Sequence, residues 1–228
     1  MTSTGGAADD VVIAIDGPAG AGKSTVGRAV AARLGLGYLD TGAMYRGVTF
    51  GVLRRGLDPG DIKSVARVAA AIELSVRDDG ITVDGVDASI EIRGRAVTAA
   101  VSSVAANSSV RSELVRRQRE WVAAQSGGVV EGRDIGSVVF PDAALKLYIT
   151  ASPRVRAERR VAEIGGDVDE VESSIIERDR KDSSRADSPL VEASGAVVVD
   201  TSGLSITDVV DSVLRLLTPS PGSDDDAG

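Results

Sequence analysis

Apolar positions follow two alternating patterns along the chain. Short continuous runs at residues 11–15, 128–131, 144–150 and 196–199 read as strands buried on both faces, with 38–40 as a shorter one. Between them apolar residues recur every three or four positions. Val26, Ala29, Val30 and Leu34 mark a helix over 24–34, and Met44, Val48, Val52 and Leu53 mark another that Thr41 is placed to cap. The same spacing predicts helices over 61–71, 95–106, 108–125, 171–180 and 205–217, and Ser152-Pro153 opens one more. Within 108–125, Leu114, Val115, Trp121 and Val122 point inward, and Arg117 and Arg119 read as solvated. Strands alternating with helices predict an α/β three-layer sandwich on a mainly parallel sheet.

One stretch keeps a period of two instead. Residues 73–76, 81–83 and 86–88 are short segments joined through Asp78-Asp79-Gly80 and Asp84-Gly85, and Asp-Gly pairs in such places signal hairpins. The expectation is a small antiparallel insert over 73–90, set into a single domain of 11–217 and able to close over a second substrate. Residues 1–10 and the acidic 218–228 read as disordered ends. No apolar run approaches the roughly 18 residues of a membrane span, and the N-terminus lacks signal-peptide character, so a cytoplasmic protein away from membranes is expected.

The first strand breaks at Asp16-Gly17-Pro18 and passes through Ala19-Gly20-Ala21-Gly22 into Lys23-Ser24-Thr25, where a helix begins. This is the pattern G-x-x-x-x-G-K-S/T in its strand–loop–helix setting. A loop almost without side chains lets backbone N–H groups close around phosphates, and the following helix turns its positive end toward the same charge. Lys23 can reach the terminal phosphates of a nucleoside triphosphate, and the Ser24 hydroxyl can ligate Mg²⁺. Residues Gly17 to Thr25 are the expected donor site.

Composition narrows the chemistry by what it lacks. Without cysteine there are no disulfides, thiolate nucleophiles or cysteine metal sites. Without histidine the usual proton carrier near neutral pH is missing, so the reaction uses a carboxylate or needs no proton abstraction. A net charge of −8 argues against a nucleic acid polymer as partner. Yet 22 of the 26 basic residues are arginine, whose planar fork suits phosphate and carboxylate, which points to local anion sites.

Position supports that reading. Asp16, Asp40 and Arg133-Asp134 stand at carboxyl ends of strands, where open parallel sheets bind ligands. Arg46 falls one turn into its helix. Arg111 occupies the first turn of 108–125, the unfavourable end for a cation, so a ligand or an acidic partner is expected beside it. Arg154, Arg156, Arg159 and Arg160 crowd the helix after Pro153, where phosphates or Glu158 and Glu163 can balance them. With Gly165-Gly166 as a hinge, residues 153–169 read as a lid. Arg178, Asp182 and Arg185 fall on one helix face.

These motifs, in this order, resemble the bacterial cytidylate kinases, a family of nucleoside monophosphate kinases. IDGPAGAGKST at 15–25, LDTGAMYR at 39–46, EIRG at 91–94, VEGRDIGSVVFPDA at 130–143 and ERDRKDSSRADSPL at 177–190 carry the resemblance over 11–217. It implies a P-loop kinase that moves a phosphoryl group from ATP, with Mg²⁺, to CMP or dCMP. It also implies a monophosphate-binding region over about 40–105 and a short lid over 153–169. In that family's terms Arg46, Arg133 and Arg185 grip the acceptor phosphate, with Thr41 beside it. Ser102, Arg111 and Asp134 read the cytosine edge, and Arg178 and Asp182 hold the sugar hydroxyls. Arg156 and Arg160 embrace the transferring group, with Lys23. An acceptor phosphate is already ionised at neutral pH and needs no base, in keeping with a chain free of histidine. A monomer acting on free nucleotides is the expectation. The rival readings are a P-loop kinase acting on a hydroxyl with Asp40 or Asp134 as base, a GTP-dependent switch, and a nucleotide sensor without turnover. The switch would want Asn-Lys-x-Asp, and Asn107, the one asparagine, is followed by Ser108.

Overall fold

The computed structural model describes residues 11–77, 80–184 and 190–217. In chain order the elements are β1 (Val11–Asp16), α1 (Lys23–Leu34), β2 (Tyr38–Asp40), α2 (Thr41–Arg54) and α3 (Ile62–Ala71). Then come β3 (Leu74–Arg77), β4 (Gly80–Val83), β5 (Val86–Asp87), α4 (Arg95–Ala105) and α5 (Ser108–Gln125). The chain continues through β6 (Gly127–Glu131), β7 (Leu145–Thr150), α6 (Pro153–Ile164), α7 (Val168–Ser183), β8 (Val197–Asp200) and α8 (Ile206–Leu217). The expected disordered ends, the hairpin residues Asp78-Asp79 and Arg185 lie outside the described residues.

Five strands form one parallel sheet in the order β2-β6-β1-β7-β8. The two-residue strand period splits the core between its faces. Val12, Ala14, Leu39 and Val130 point to the face covered by α2, α3, α4 and α5, where they meet Val48, Val65, Val104 and Leu114. Ile13, Ile15, Tyr38, Val129, Leu147 and Ile149 point to the other, where α1 and α8 bring Val26, Val30, Val209 and Val213. This is the three-layer α/β sandwich expected. No helix among the described residues is long and apolar enough to cross a membrane.

The insert is antiparallel, in the order β3-β4-β5, and rests on α2. Its seat is Gly47, where a Cβ would stand 2.9 Å from Ile81 Cδ1; one turn on, a Cβ on Gly51 would stand 2.3 Å from Ile72 Cδ1 at the end of α3. The missing side chain at Gly47 lets Ile81 and Val83 fill the core from outside the main sheet.

Two sequence expectations are corrected. Thr41 does not cap α2. Asp40 does, its carboxylate accepting the Ala43 N–H at 2.9 Å, while the Thr41 hydroxyl donates to the Glu131 carbonyl at 2.7 Å. Nor are Arg117 and Arg119 merely solvated. Arg117 donates to the carbonyls of Ile72 and Ala69 at 2.8 and 3.0 Å, closing the end of α3, and Arg119 donates to Val139 and Val138 at 3.0 and 3.1 Å. Both satisfy carbonyls that a helix end or an irregular turn leaves open.

Candidate active site

The sheet register brings its carboxyl ends level. Asp40 pairs with Glu131 across β2 and β6, and Glu131 with Ile15 across β6 and β1, so Asp16, Asp40 and Glu131 border one cleft with the loops that follow them. Between β1 and α1 the glycine loop takes a path closed to other residues. Gly17 has φ +143°, and a Cβ there would lie 1.9 Å from the Ile149 carbonyl oxygen. Gly22 caps α1 in the left-handed region at φ +92°.

The loop is held by its carbonyls. Lys23 Nζ donates to Pro18 O at 2.9 Å, Arg133 Nη1 to Gly17 O at 3.3 Å, Arg156 Nη1 to Ala19 O at 3.2 Å and Thr201 Oγ1 to Ala21 O at 2.9 Å. The groups left to offer an anion are N–H donors and the start of α1. Burial, reinforced by Arg133, lowers the Lys23 pKa to about 8. An anion seated in the loop favours its charged form.

Ser24 Oγ donates to Glu131 Oε1 at 2.7 Å. Burial first, then the neighbouring Asp40, pushes the Glu131 carboxyl upward, and its Oε2 is buried without a hydrogen-bond partner among the described residues. Sequence reasoning missed Glu131, although it stands inside a quoted motif, because its partner is 107 positions away. Asp16 accepts the N–H groups of Ile135 and Gly136, each at 2.7 Å, and so anchors the loop that carries Arg133 and Asp134. Burial raises its pKa to about 6.

Opposite the glycine loop the cleft is lined by side chains. Arg111 and Asp134 form a buried ion pair, the acidic partner that the helix position of Arg111 called for. Arg111 also donates to Ala105 O at 3.4 Å, and its guanidinium lies 5.7 Å from the Tyr45 ring centroid. Ser102 sits half-buried on α4, one turn before Ala105. Arg133 joins Asp182 at 3.0 Å, and Arg178 approaches the same carboxylate at 3.9 Å. Arg46 is half-buried, and its pKa is lowered chiefly by burial, then by Arg93 and Arg133, against the pull of Asp40 and Glu131. Three guanidiniums drawn together in this way make a receptor for an anion. Arg93 was not singled out from the sequence, although EIRG contains it.

The arginines of α6 divide their work. Arg154 pairs with Asp169 and Glu172 of α7, and Arg160 with Glu163 at 3.5 Å. Carboxylates therefore balance much of the cluster. Arg159 donates to the Thr201 carbonyl at 2.8 Å. Arg156 is buried against the glycine loop and pairs with Asp179 at 2.6 Å. α6 and α7 meet at Gly165-Gly166, at φ +74° and +117°.

The buried charged residues among those described are Asp16, Asp40, Arg111, Glu131, Asp134, Arg156 and Asp182. All seven belong to the cleft. Buried charge is costly and titrates abnormally, and its concentration in one place is a mark of function. A cavity of about 380 Å³ lined by Val12, Arg119, Phe140 and Asp142 lies at the other end of the sheet, away from these groups.

Residues 13–219 match the family model described as cytidylate kinase. The chain is 47% identical to a protein named cytidylate kinase from Streptomyces avermitilis, over 91% of this chain and 92% of that one. It is 48% identical to another of that name from Mycolicibacterium paratuberculosis, over 91% and 95%. Among solved structures, an uncharacterized protein from Eubacterium ventriosum superposes with a TM-score of 0.52 at 10% identity, over 91% of this chain and 98% of that one, a likeness of fold alone.

Proposed function

The chain belongs to the cytidylate kinase family, and we propose on that premise how its cleft transfers the terminal phosphoryl group of ATP to CMP or dCMP. One observation supports the division of labour best. Arg133 stands between the two walls, within hydrogen-bond reach of Gly17 O in the glycine loop and of Asp182 in α7. A cation at that junction meets the phosphates of donor and acceptor together.

Gly17, Pro18, Ala19, Gly20, Ala21, Gly22, Lys23, Ser24 and Thr25 hold the donor. Arg46, Arg133 and Arg185 grip the acceptor phosphate, with Arg93 adding to the field and Thr41 shaping the floor through Glu131. Ser102, Arg111 and Asp134 face the cytosine, and Arg178 and Asp182 the sugar. Arg160 reaches the transferring group from the lid, while Arg156 acts from behind the loop. Residues 40–105 form the acceptor-binding region and 153–169 the lid, and the enzyme works as a cytoplasmic monomer.

An oxygen of the CMP phosphate forms the new bond to the γ-phosphorus as the bond to the β,γ-bridging oxygen breaks, and that electron pair leaves with ADP. No proton has to be removed first, so the residues act by alignment and by neutralising charge spread over the group in flight. Of the two carboxylates that a hydroxyl acceptor would call on as base, Asp134 is paired with Arg111 and Asp40 accepts the Ala43 N–H through one oxygen.

Mg²⁺ fits the donor side. Ser24 and Glu131 supply hard oxygen ligands next to the phosphate loop, and the buried Oε2 of Glu131 is otherwise without a partner among the described residues. The ion would neutralise charge on the phosphate oxygens.

The test is ADP formation with CMP, dCMP, UMP and AMP each as acceptor. Strong turnover with CMP and dCMP, weaker with UMP and almost none with AMP is the expected result. ATP binding without acceptor-dependent ADP from any of them would refute the assignment.

A further inference from the structure

Two bridges of one design join the glycine loop to α7. Arg133 spans Gly17 O and Asp182. Arg156 spans Ala19 O at 3.2 Å and Asp179 Oδ2 at 2.6 Å, its Nε held by Ala151 O at 2.9 Å. Asp179 and Asp182 are three apart on a helix and so share a face. Arg156 is packed tightly enough that a Cβ on Gly20 would stand 3.3 Å from its own Cβ, and only 3% of it is exposed. A planar guanidinium committed to three acceptors cannot turn toward α7 without disturbing the loop. The other oxygen of Asp179 is buried with no hydrogen-bond partner among the described residues, a cost that an exposed carboxylate would avoid.

We propose that Asp179 is a positioning residue for phosphoryl transfer. Acting through Arg156, it fixes Ala19 of the donor loop against the helix that presents Arg178 and Asp182 to the acceptor, and so couples the binding of the two nucleotides. The inference rests on the kinase reading above, which assigns the acceptor to that face of α7. When the acceptor draws α7 into place, the Asp179–Arg156 bridge sets the loop; when ATP sets the loop, the same bridge presents α7. By linkage the two effects are equal in free energy.

The experiment compares the parent with Asp179→Asn, measuring CMP affinity by calorimetry with and without a saturating non-hydrolysable ATP analogue, alongside kcat and the KM values. In the parent the analogue should tighten CMP binding by about fivefold or more, and in Asp179→Asn by less than about twofold. Each nucleotide alone should bind the variant within about threefold of the parent, with kcat down about tenfold through misplacement of the loop. A purely structural ion pair would lower Tm and leave the enhancement at its parental value, which overturns the proposal; so does a parent without enhancement. If Asp179→Asn fails to fold, the same measurements on Arg156→Lys decide. That variant keeps a cation beside Asp179 but cannot also reach Ala19, and parental enhancement in it overturns the proposal. Failure of the kinase reading would look different, with neither CMP binding nor CMP-dependent ADP formation in the parent.

Discussion

The two walls of the cleft are made of different material. The donor wall is backbone, a glycine loop pinned by its carbonyls with Lys23 as its principal charge. The wall proposed for the acceptor is side chain, built from Arg111 with Asp134 and from Arg133 and Arg178 with Asp182. A backbone wall takes its shape from its glycines and from several anchors at once, so removing Lys23 alone should cost function while the shape is largely kept. A wall of buried ion pairs is held up by the same charges that are proposed to recognise the ligand. Stability and activity should therefore separate on one side and move together on the other.

Arg111→Ala is the strongest probe. It strands Asp134 in a buried place without its cation, so the unfolding free energy should fall by about 3–5 kcal/mol. Chemical denaturation reads the loss, and the enzyme that remains folded should discriminate CMP from UMP poorly. Unchanged stability would mean that the wall stands without the pair.

Lys23→Met tests the other side. Turnover should drop by about 10²–10³-fold, the usual consequence of removing one preorganised charge stabiliser, while the denaturation midpoint hardly moves. In the parent, ATP binding at pH 8 should draw a fraction of a proton onto Lys23, whose pKa is about 8 beforehand, giving calorimetric heats that depend on the buffer. A large stability loss in Lys23→Met would erase the contrast between the walls.

Asp16 ties the walls together, and its linkage has an uncommon sign. Its pKa is about 6 in the folded protein against 3.8 as the ordinary value, so between these the folded state keeps a proton that the unfolded chain has lost. The stabilisation from this group is complete below 3.8 and is lost as pH rises through 6, on the order of 3 kcal/mol in all. Asp16→Asn should flatten that fall, seen as a smaller difference in urea midpoint between pH 4 and pH 7. Parallel curves for parent and variant would show that Asp16 is charged throughout.

The same contrast explains what could be read from the sequence. The donor wall was legible because its residues are contiguous and its glycines answer to a local need, as at Gly17. The succession of strands and helices and the antiparallel insert followed from apolar period and from Asp-Gly pairs, whereas the order β2-β6-β1-β7-β8 and the helices that cover each face depend on long-range pairing that no local pattern encodes. On the acceptor wall, strand ends and the helix position of Arg111 pointed to single residues, but their pairings were out of reach and their roles came only from resemblance, since Arg111 meets Asp134 across 23 positions and Arg133 meets Asp182 across a larger gap. Asp40 took the cap from Thr41 because a carboxylate at a strand end reaches the Ala43 N–H, while the Thr41 hydroxyl is occupied by Glu131 O. Arg117 looked solvated because the carbonyls it closes lie 45 and 48 positions away.

Gln118 gives the smallest effect and the sharpest boundary. The buried charges among the described residues all belong to the cleft, and neutral buried groups such as Thr49, Ser64 and Asn107 have hydrogen-bond partners. Gln118 faces the core from α5 at 1% exposure, with neither amide atom bonded among the described residues. An unmet amide costs about 1–3 kcal/mol, so Gln118→Met, which keeps the volume, should recover part of it and raise Tm by about 2–4 °C with kcat unchanged. A lower Tm would mean that a buried water satisfies the amide and that the hydrated interior extends past the acceptor wall along α5. A higher Tm with unchanged kcat would place the edge of the functional polar network between Arg111 and Gln118, two turns apart on one helix.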